Sequence, residues 1–208
     1  MAERAEGKVT LSEATLRLEE FLKEADEDTH AEWVGGRVVP KMPASRAHQR
    51  CNGFLYRIIA SWLDYHPIGE ALPPPFLVRL TTPEGEPILR EPDLIVVLNE
   101  HRERLQEQYF EGAPDLVVEI VSAGRRATDR GEKFYEYEAA GVPEYWIIDP
   151  ERQQAEFAQR NAQGVYQVVF SGATGVYHSQ VLPGFWMEVA WLWEQPPLPK
   201  VLQAWGLI

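Results

Sequence analysis

The sequence predicts an α/β fold, a central mixed β-sheet flanked by helices with additional antiparallel strands towards the C-terminus. Three observations lead there. Helix-period and strand-period segments alternate along the chain, the pattern of layered sheet and helices. A short β-branched phrase opened by proline and aspartate occurs twice, as Pro92-Asp93-Leu94-Ile95-Val96-Val97 and as Pro114-Asp115-Leu116-Val117-Val118-Glu119-Ile120-Val121. Residues 154–195 divide into short strands separated by glycine turns.

The elements follow in order. Leu11 to about Ala25 reads as an amphipathic helix, with Thr10 and Glu13 at capping-box spacing and Leu11, Leu16, Leu18, Phe21 and Leu22 as its apolar positions. Ala31 to Val39 reads as a hairpin, because Gly35-Gly36 between β-type runs suits a two-residue turn. From about Ser45 to Tyr65 a second helix buries Phe54, Leu55, Ile58, Ile59 and Trp62, and Pro67 ends it. After Pro73-Pro74-Pro75, residues 76–80 alternate at the strand period, and 83–87 carry turn chemistry. The two Pro-Asp strands flank a charged stretch, Asn99 to Gly112, read as a surface helix or loop. A helix from about Thr128 to Ala140 stops at Gly141, a residue suited to a left-handed cap. Glu144 to Pro150 is a strand, followed by strands at 155–160, 165–170, 176–181 and 186–193.

The composition, 45% apolar and 25% charged, is that of a globular chain, and 208 residues suffice for one domain with a sizeable core. No apolar run approaches the roughly 20 residues a membrane span needs. Met1 to Glu6 lacks an apolar stretch after its charges, and Cys51 is the single cysteine, so the expected compartment is the cytoplasm. The net charge of −12 argues against a protein that coats nucleic acid, which draws its affinity from Lys and Arg. A metal-dependent nuclease can still be acidic, since its carboxylates need cations.

The second Pro-Asp phrase places Glu119 where an apolar residue is expected. A carboxylate embedded in such a run is costly unless it is paired, protonated or metal-bound. Asp93 opens the companion strand, and neighbouring strands lie about 4.8 Å apart, so the two acids can share an ion. Lys133, on the next helix, is the nearby cation. Two carboxylates holding Mg²⁺ (or Mn²⁺) with a lysine to steer water suit phosphodiester hydrolysis. Asp93, Glu119 and Lys133 are therefore the candidate site. Asp115 is read as a turn or strand-entry residue. Arg125, Arg126 and Arg130 form a basic cluster at a helix start, where cations oppose the dipole, and are candidate phosphate contacts. Tyr137, Tyr145 and Trp146 are assigned to the core, and Trp186, Trp191, Trp193 and Trp205 either to packing on the sheet's far face or to a dimer interface.

At these positions the chain resembles the Uma-type restriction endonuclease family of the PD-(D/E)XK nuclease superfamily. The resemblance rests on Pro92-Asp93, on Ala113 to Ser122, on Asp129, Lys133 and Tyr137, and on Gly141 to Pro150. Glu32 to Val39 is similar to the family's opening hairpin, and His48 matches its helix-leading histidine. It spans about residues 10–190, leaving a tail of about 191–208 in a single 1–208 domain. It implies a restriction-endonuclease-like core and a Mg²⁺ site at Asp93 and Glu119, with Glu32 and His48 as auxiliary catalytic residues. It also implies a nucleic-acid substrate, DNA above all, and a homodimer for paired cuts. One departure stands out: the lysine expected two residues after the acid is Val121, and Lys133 is the substitute. The displaced lysine and the acidic charge motivate an alternative, a catalytically inactive binding or assembly module on the same fold. A metal hydrolase of small phosphorylated substrates is a third reading.

Overall fold

The computed structural model describes residues 15–25, 29–121 and 131–208. Helix α1 spans Leu18–Glu24, shorter than the predicted 11–25. Before it, Thr15 bridges to Arg37 and the Leu16 N–H bonds Gly36 O at 2.9 Å. These backbone groups are committed to the hairpin and are not available for a helical turn. The helix is capped instead by Glu20, whose Oε2 accepts the Arg17 N–H at 3.1 Å. Thr10 and Glu13 lie outside the described residues.

The predicted hairpin is β1 (Ala31–Val34) and β2 (Arg37–Pro40). Gly35 and Gly36 have φ of +56° and +82°, as a primed two-residue turn requires. Helix α2 (Arg46–Tyr65) buries the expected stripe, and the Ser45 side chain caps it by accepting the His48 N–H at 3.2 Å. Then come β3 (Gly69–Leu72), β4 (Leu77–Thr81), β5 (Pro87–Arg90) and β6 (Leu94–Leu98). The charged stretch holds a 3-10 turn, Asn99–Arg104, and the short β7 (Tyr109–Glu111). After β8 (Leu116–Ile120), helix α3 (Glu132–Ala140) ends on Gly141 at φ +95°, as its sequence position suggested. β9 (Glu144–Asp149), β10 (Gln154–Arg160) and β11 (Tyr166–Gly172) complete the main sheet.

That sheet has six strands in the order β11-β10-β9-β8-β6-β3; β8 and β9 run parallel and the other pairs are antiparallel. A second sheet, β2-β1-β5-β4-β7, covers part of one face. The strand period sorts the residues between layers. Ile95, Val97, Val117 and Ile147 pack with Val78, Leu80 and Ile88 of the second sheet and with Tyr137 of α3. Leu94, Val96, Leu116, Val118 and Trp146 pack on the other side with Phe54, Leu55, Ile58 and Ile59 of α2. Glu119 has the parity of Val117 and Val121, so it points towards the second sheet and α3. The fold is thus mixed α/β, as the sequence predicted.

The C-terminal region adds β12 (Val176–His178), β13 (Trp186–Glu188), α4 (Trp191–Glu194) and α5 (Leu198–Ala204). Two predicted strands are shorter than expected. The buried Glu144 carboxylate accepts the N–H groups of Gln180 and Val181, which draws residues after His178 out of the ladder. Beyond Val189 the backbone turns helical, with Glu194 N–H bonded to Ala190 O. Trp186, Trp193 and Trp205 pack against the α2 cluster that contains Trp191. Among the described residues, no helix is long and apolar enough to cross a membrane.

Candidate active site

Strands β6 and β8 are antiparallel neighbours, with Leu94 opposite Val118 and Val96 opposite Leu116. Their two Pro-Asp phrases consequently fall at opposite ends of the pair. Each aspartate is tied to the other strand. The Asp93 N–H bonds Val118 O at 3.1 Å and Asp93 Oδ2 accepts the Ile120 N–H at 2.7 Å. The Asp115 N–H bonds Val96 O at 3.1 Å and Asp115 Oδ2 accepts the Leu98 N–H at 2.8 Å. Asp115 has the strand-entry role read from the sequence.

At the Asp93 end the layers part to leave a cavity of about 810 Å³, lined by Asp93, Glu119, Lys133, His48, Lys41 and Glu91 among others. Lys133, 1% exposed on the first turn of α3, places Nζ 2.8 Å from Glu119 Oε1 and 2.9 Å from Glu32 Oε1. The Tyr137 hydroxyl, one turn further along α3, donates to the same Glu119 oxygen at 3.0 Å. Glu32 comes from β1 and is held from behind by Arg90, whose Nη1 donates to Oε2 at 2.9 Å. Arg90 in turn grips Glu136 with Nε and Nη2 at 2.8 and 2.6 Å. A chain of alternating charges therefore runs Glu136–Arg90–Glu32–Lys133–Glu119 through the interior. Burial alone pushes the Glu32 carboxyl up, but Lys133 and Arg90 together bring it down to about 2.

Asp93 is surrounded differently. His48, from the first turn of α2, places Nε2 3.1 Å from Oδ2; the ionised carboxylate is acceptor only, so Nε2 carries the hydrogen. Lys41 Nζ lies 3.4 Å from Oδ1. Burial raises the Asp93 carboxyl, but His48, Lys41 and the Ile120 amide outweigh it and hold it at about 2. Glu91 is 2% exposed; its Oε1 lies 3.2 Å from His30 Nδ1, and its Oε2 has no hydrogen-bond partner among the described residues. Burial raises the Glu91 carboxyl, with Lys41 and His30 opposing.

Asp93, Glu119, Lys133 and His48, all predicted, line one cavity, and Glu32 joins them through Lys133. Arg125, Arg126 and Arg130 lie outside the described residues. Tyr137 is a core residue as expected, and also a hydrogen-bond donor to Glu119. Lys41 and Glu91, in the cavity wall, and Arg90, behind Glu32, were not predicted. The one sequence signal for the last two was a charged pair, Arg90-Glu91, directly ahead of Pro92-Asp93 in an otherwise apolar strand setting. Lys41 gave none, since it follows a hairpin distant in sequence.

The donor set suits a hard divalent cation. Asp93, Glu119 and Glu91 offer carboxylate oxygens, the ligands Mg²⁺ and Mn²⁺ favour, and the unpartnered buried Oε2 of Glu91 is an acceptor without a donor. Among the described residues, the one group with three ligand atoms within 4.8 Å of one another is Glu100, His101 and Asp115, at the other end of the strand pair. There His101 Nδ1 lies 2.9 Å from Asp115 Oδ1 and the Leu98 N–H meets the other oxygen, so Asp115 is already engaged.

A mixed sheet flanked by helices, with acids on adjacent strands beside a buried lysine, defines an α/β protein with a charged interior cavity. The chain belongs to the Uma2 family, described as "Putative restriction endonuclease", which it matches over residues 16–190. Its fold is also that of a crystal structure titled a "putative nuclease belonging to DUF820 from Anabaena variabilis ATCC 29413". The two share 20% identity with a TM-score of 0.68, over 85% of this chain and 96% of that one. No curated protein matches the chain.

Proposed function

We propose that the protein is a Mg²⁺-dependent endonuclease that hydrolyses nucleic-acid phosphodiester bonds, with Asp93 and Glu119 holding the ion. The observation that carries this reading is the convergence of Asp93, Glu119 and Lys133 on one 810 Å³ cavity. In the reaction a water oxygen bonds to phosphorus as the ester P–O bond breaks. One water is consumed, one of its protons is given up to solvent, and the departing oxygen leaves as a hydroxyl. When bound, the ion neutralises phosphate charge and makes hydroxide accessible near neutral pH. Lys133 orients the attacking water, Glu32 sets the Lys133 ammonium, and His48 sets Asp93. Arg125, Arg126 and Arg130 would contact the flanking backbone. The substrate is DNA, the working unit a homodimer making paired cuts, the chain one domain, and the compartment the cytoplasm. The test is plasmid nicking and Mn²⁺ binding by the wild type and by Asp93→Ala and Glu119→Ala. Both activities are expected to vanish in each variant; retention of both in either one sinks the reading.

A second reading has its own observation. Lys133 is clamped between two carboxylates, and Val121 stands where the standard motif has lysine, which suits a catalytically inactive binding module. Thermal stability under Mg²⁺ or Mn²⁺ separates the two. Stabilisation that is lost on replacing Glu119 favours the metal enzyme; none at any concentration favours the module.

A further inference from the structure

We propose that Lys41 is a second catalytic lysine of this cavity, unanticipated from the sequence: its ammonium occupies a cation subsite beside Asp93 and binds a non-bridging oxygen of the scissile phosphate. The inference rests on the endonuclease reading and adds to it a one-ion site with a built-in ammonium.

Lys41 is placed by architecture. It follows β2 directly, and its N–H bonds His30 O at 2.9 Å, which fixes the backbone beside the start of β1. From there Nζ reaches across to the end of β5 and the start of β6. It meets Glu91 O at 2.7 Å, Asp93 Oδ1 at 3.4 Å and Glu91 Oε1 at 4.0 Å. Three oxygens thus surround one ammonium, an arrangement that a bound cation would also adopt. Glu91, held at Oε1 by His30, keeps a buried Oε2 without a hydrogen-bond partner among the described residues.

The two cavity lysines are not equivalent. Lys133 is 1% exposed and spans Glu119 and Glu32, whereas Lys41 is 18% exposed. Among the described residues, these are the cavity's only Lys or Arg side chains, so Lys41 is the cation an entering phosphate can meet directly. The lining charges agree. Glu91, Asp93, Glu119 and Glu151 face Lys41 and Lys133, an excess of two negative charges that one divalent ion neutralises. Deleting Lys41 leaves an excess of three, which invites more cation. A single metal with an ammonium opposite can share the developing phosphate charge as a pair of cations would.

The test compares wild type, Lys41→Met, Lys41→Arg and the surface control Lys200→Met in the full-length chain. It follows Mn²⁺ binding by calorimetry, nicking in Mg²⁺, and binding of uncut duplex in Ca²⁺ across a salt series. Lys41→Met is expected to lower nicking on the order of 100-fold while Mn²⁺ binds as tightly or more tightly. Its salt slope for duplex binding falls by about 0.9, one phosphate contact. Lys41→Arg recovers the slope and part of the rate, and Lys200→Met matches wild type. Nicking unchanged in Lys41→Met overturns the proposal, as does weaker Mn²⁺ binding with an unchanged salt slope, the mark of a merely structural lysine. In either case Mn²⁺ binding that still requires Asp93 leaves the endonuclease reading standing. Wild type that neither binds Mn²⁺ nor nicks removes that reading, and this inference with it.

Discussion

The β6–β8 pair has two ends built to the same plan and put to different uses. At each end a proline-aspartate step enters a strand, the aspartate accepts a backbone N–H from the partner strand, and a histidine bonds the carboxylate. At the Asp115 end the construction stops there, in a 3-10 turn at the surface. At the Asp93 end three further carboxylates and two lysines stand around a cavity. The shared features secure two strands to each other. What is particular to one end, buried charge in excess of structural need, is the part that calls for a function.

Removing the buried ammonium should break the contrast most violently. Lys133→Met leaves Glu119 and Glu32 facing each other without their common cation, and breaking a buried pair from one side costs about 3–5 kcal/mol. Urea unfolding at pH 7 should show that loss, with nicking abolished. Lowering the pH to about 4 should return part of the stability, because protonation then relieves the stranded acids. A loss under about 1 kcal/mol would mean that Arg90 and Tyr137 already satisfy the two carboxylates.

The paired aspartates come next. Asp93→Ala and Asp115→Ala each strand one backbone N–H, that of Ile120 or that of Leu98, at roughly 1–3 kcal/mol. Their stability losses should be alike. Their activities should not: Asp115→Ala keeps nicking and Mn²⁺ stabilisation, and Asp93→Ala loses both. Equal loss of nicking in the two would erase the distinction between the ends.

Acid should weaken the Asp93 end. Asp93 and Glu32 sit at about 2, below their ordinary 3.8 and 4.5. A depressed carboxyl contributes stability that is full above its unfolded value and is lost as pH falls towards the folded one. The decline therefore runs from about pH 5 to pH 2, with on the order of 2 kcal/mol due to Asp93. Glu91 is shifted upward, so its protonation begins at higher pH and relieves a buried charge as pH falls towards its ordinary 4.5, offsetting part of the later loss. Urea midpoints at pH 7 and pH 3 should differ less in Asp93→Asn than in wild type; an equal difference would place the acid sensitivity elsewhere.

Most of the frame was legible because local rules and tertiary packing agree in it. The hairpin glycines, the α2 stripe, Gly141 and both Pro-Asp strands fell where period and turn chemistry put them. Glu119 was legible for the opposite reason, as a charge that its strand could not otherwise hold. The partners that come from far along the chain were not. Lys41 sits 52 residues from the aspartate it meets, and Arg90 looks like an ordinary strand-end charge until Glu32 and Glu136 close around it. The start of α1 was misread because hydrophobic period cannot reveal that Leu16 will be bonded to Gly36.

The smallest expected effect is also the most discriminating, since it touches a feature that both ends share. His48 and His101 each lie against an aspartate, at 3.1 and 2.9 Å, and deleting either should cost roughly 1 kcal/mol. If the histidines only tie strands to neighbouring elements, His48→Ala and His101→Ala will behave alike in every assay. If Asp93 must be held in one orientation to take an ion, His48→Ala alone should weaken Mn²⁺ binding and nicking. The expected size is about tenfold, the lower range for losing a group that orients a metal ligand. His48→Gln, which keeps a donor, should recover part of it. Calorimetry and a nicking time course on the four chains decide this. Parallel behaviour would assign His48 to scaffold and leave the asymmetry to Glu119, Lys133 and Lys41.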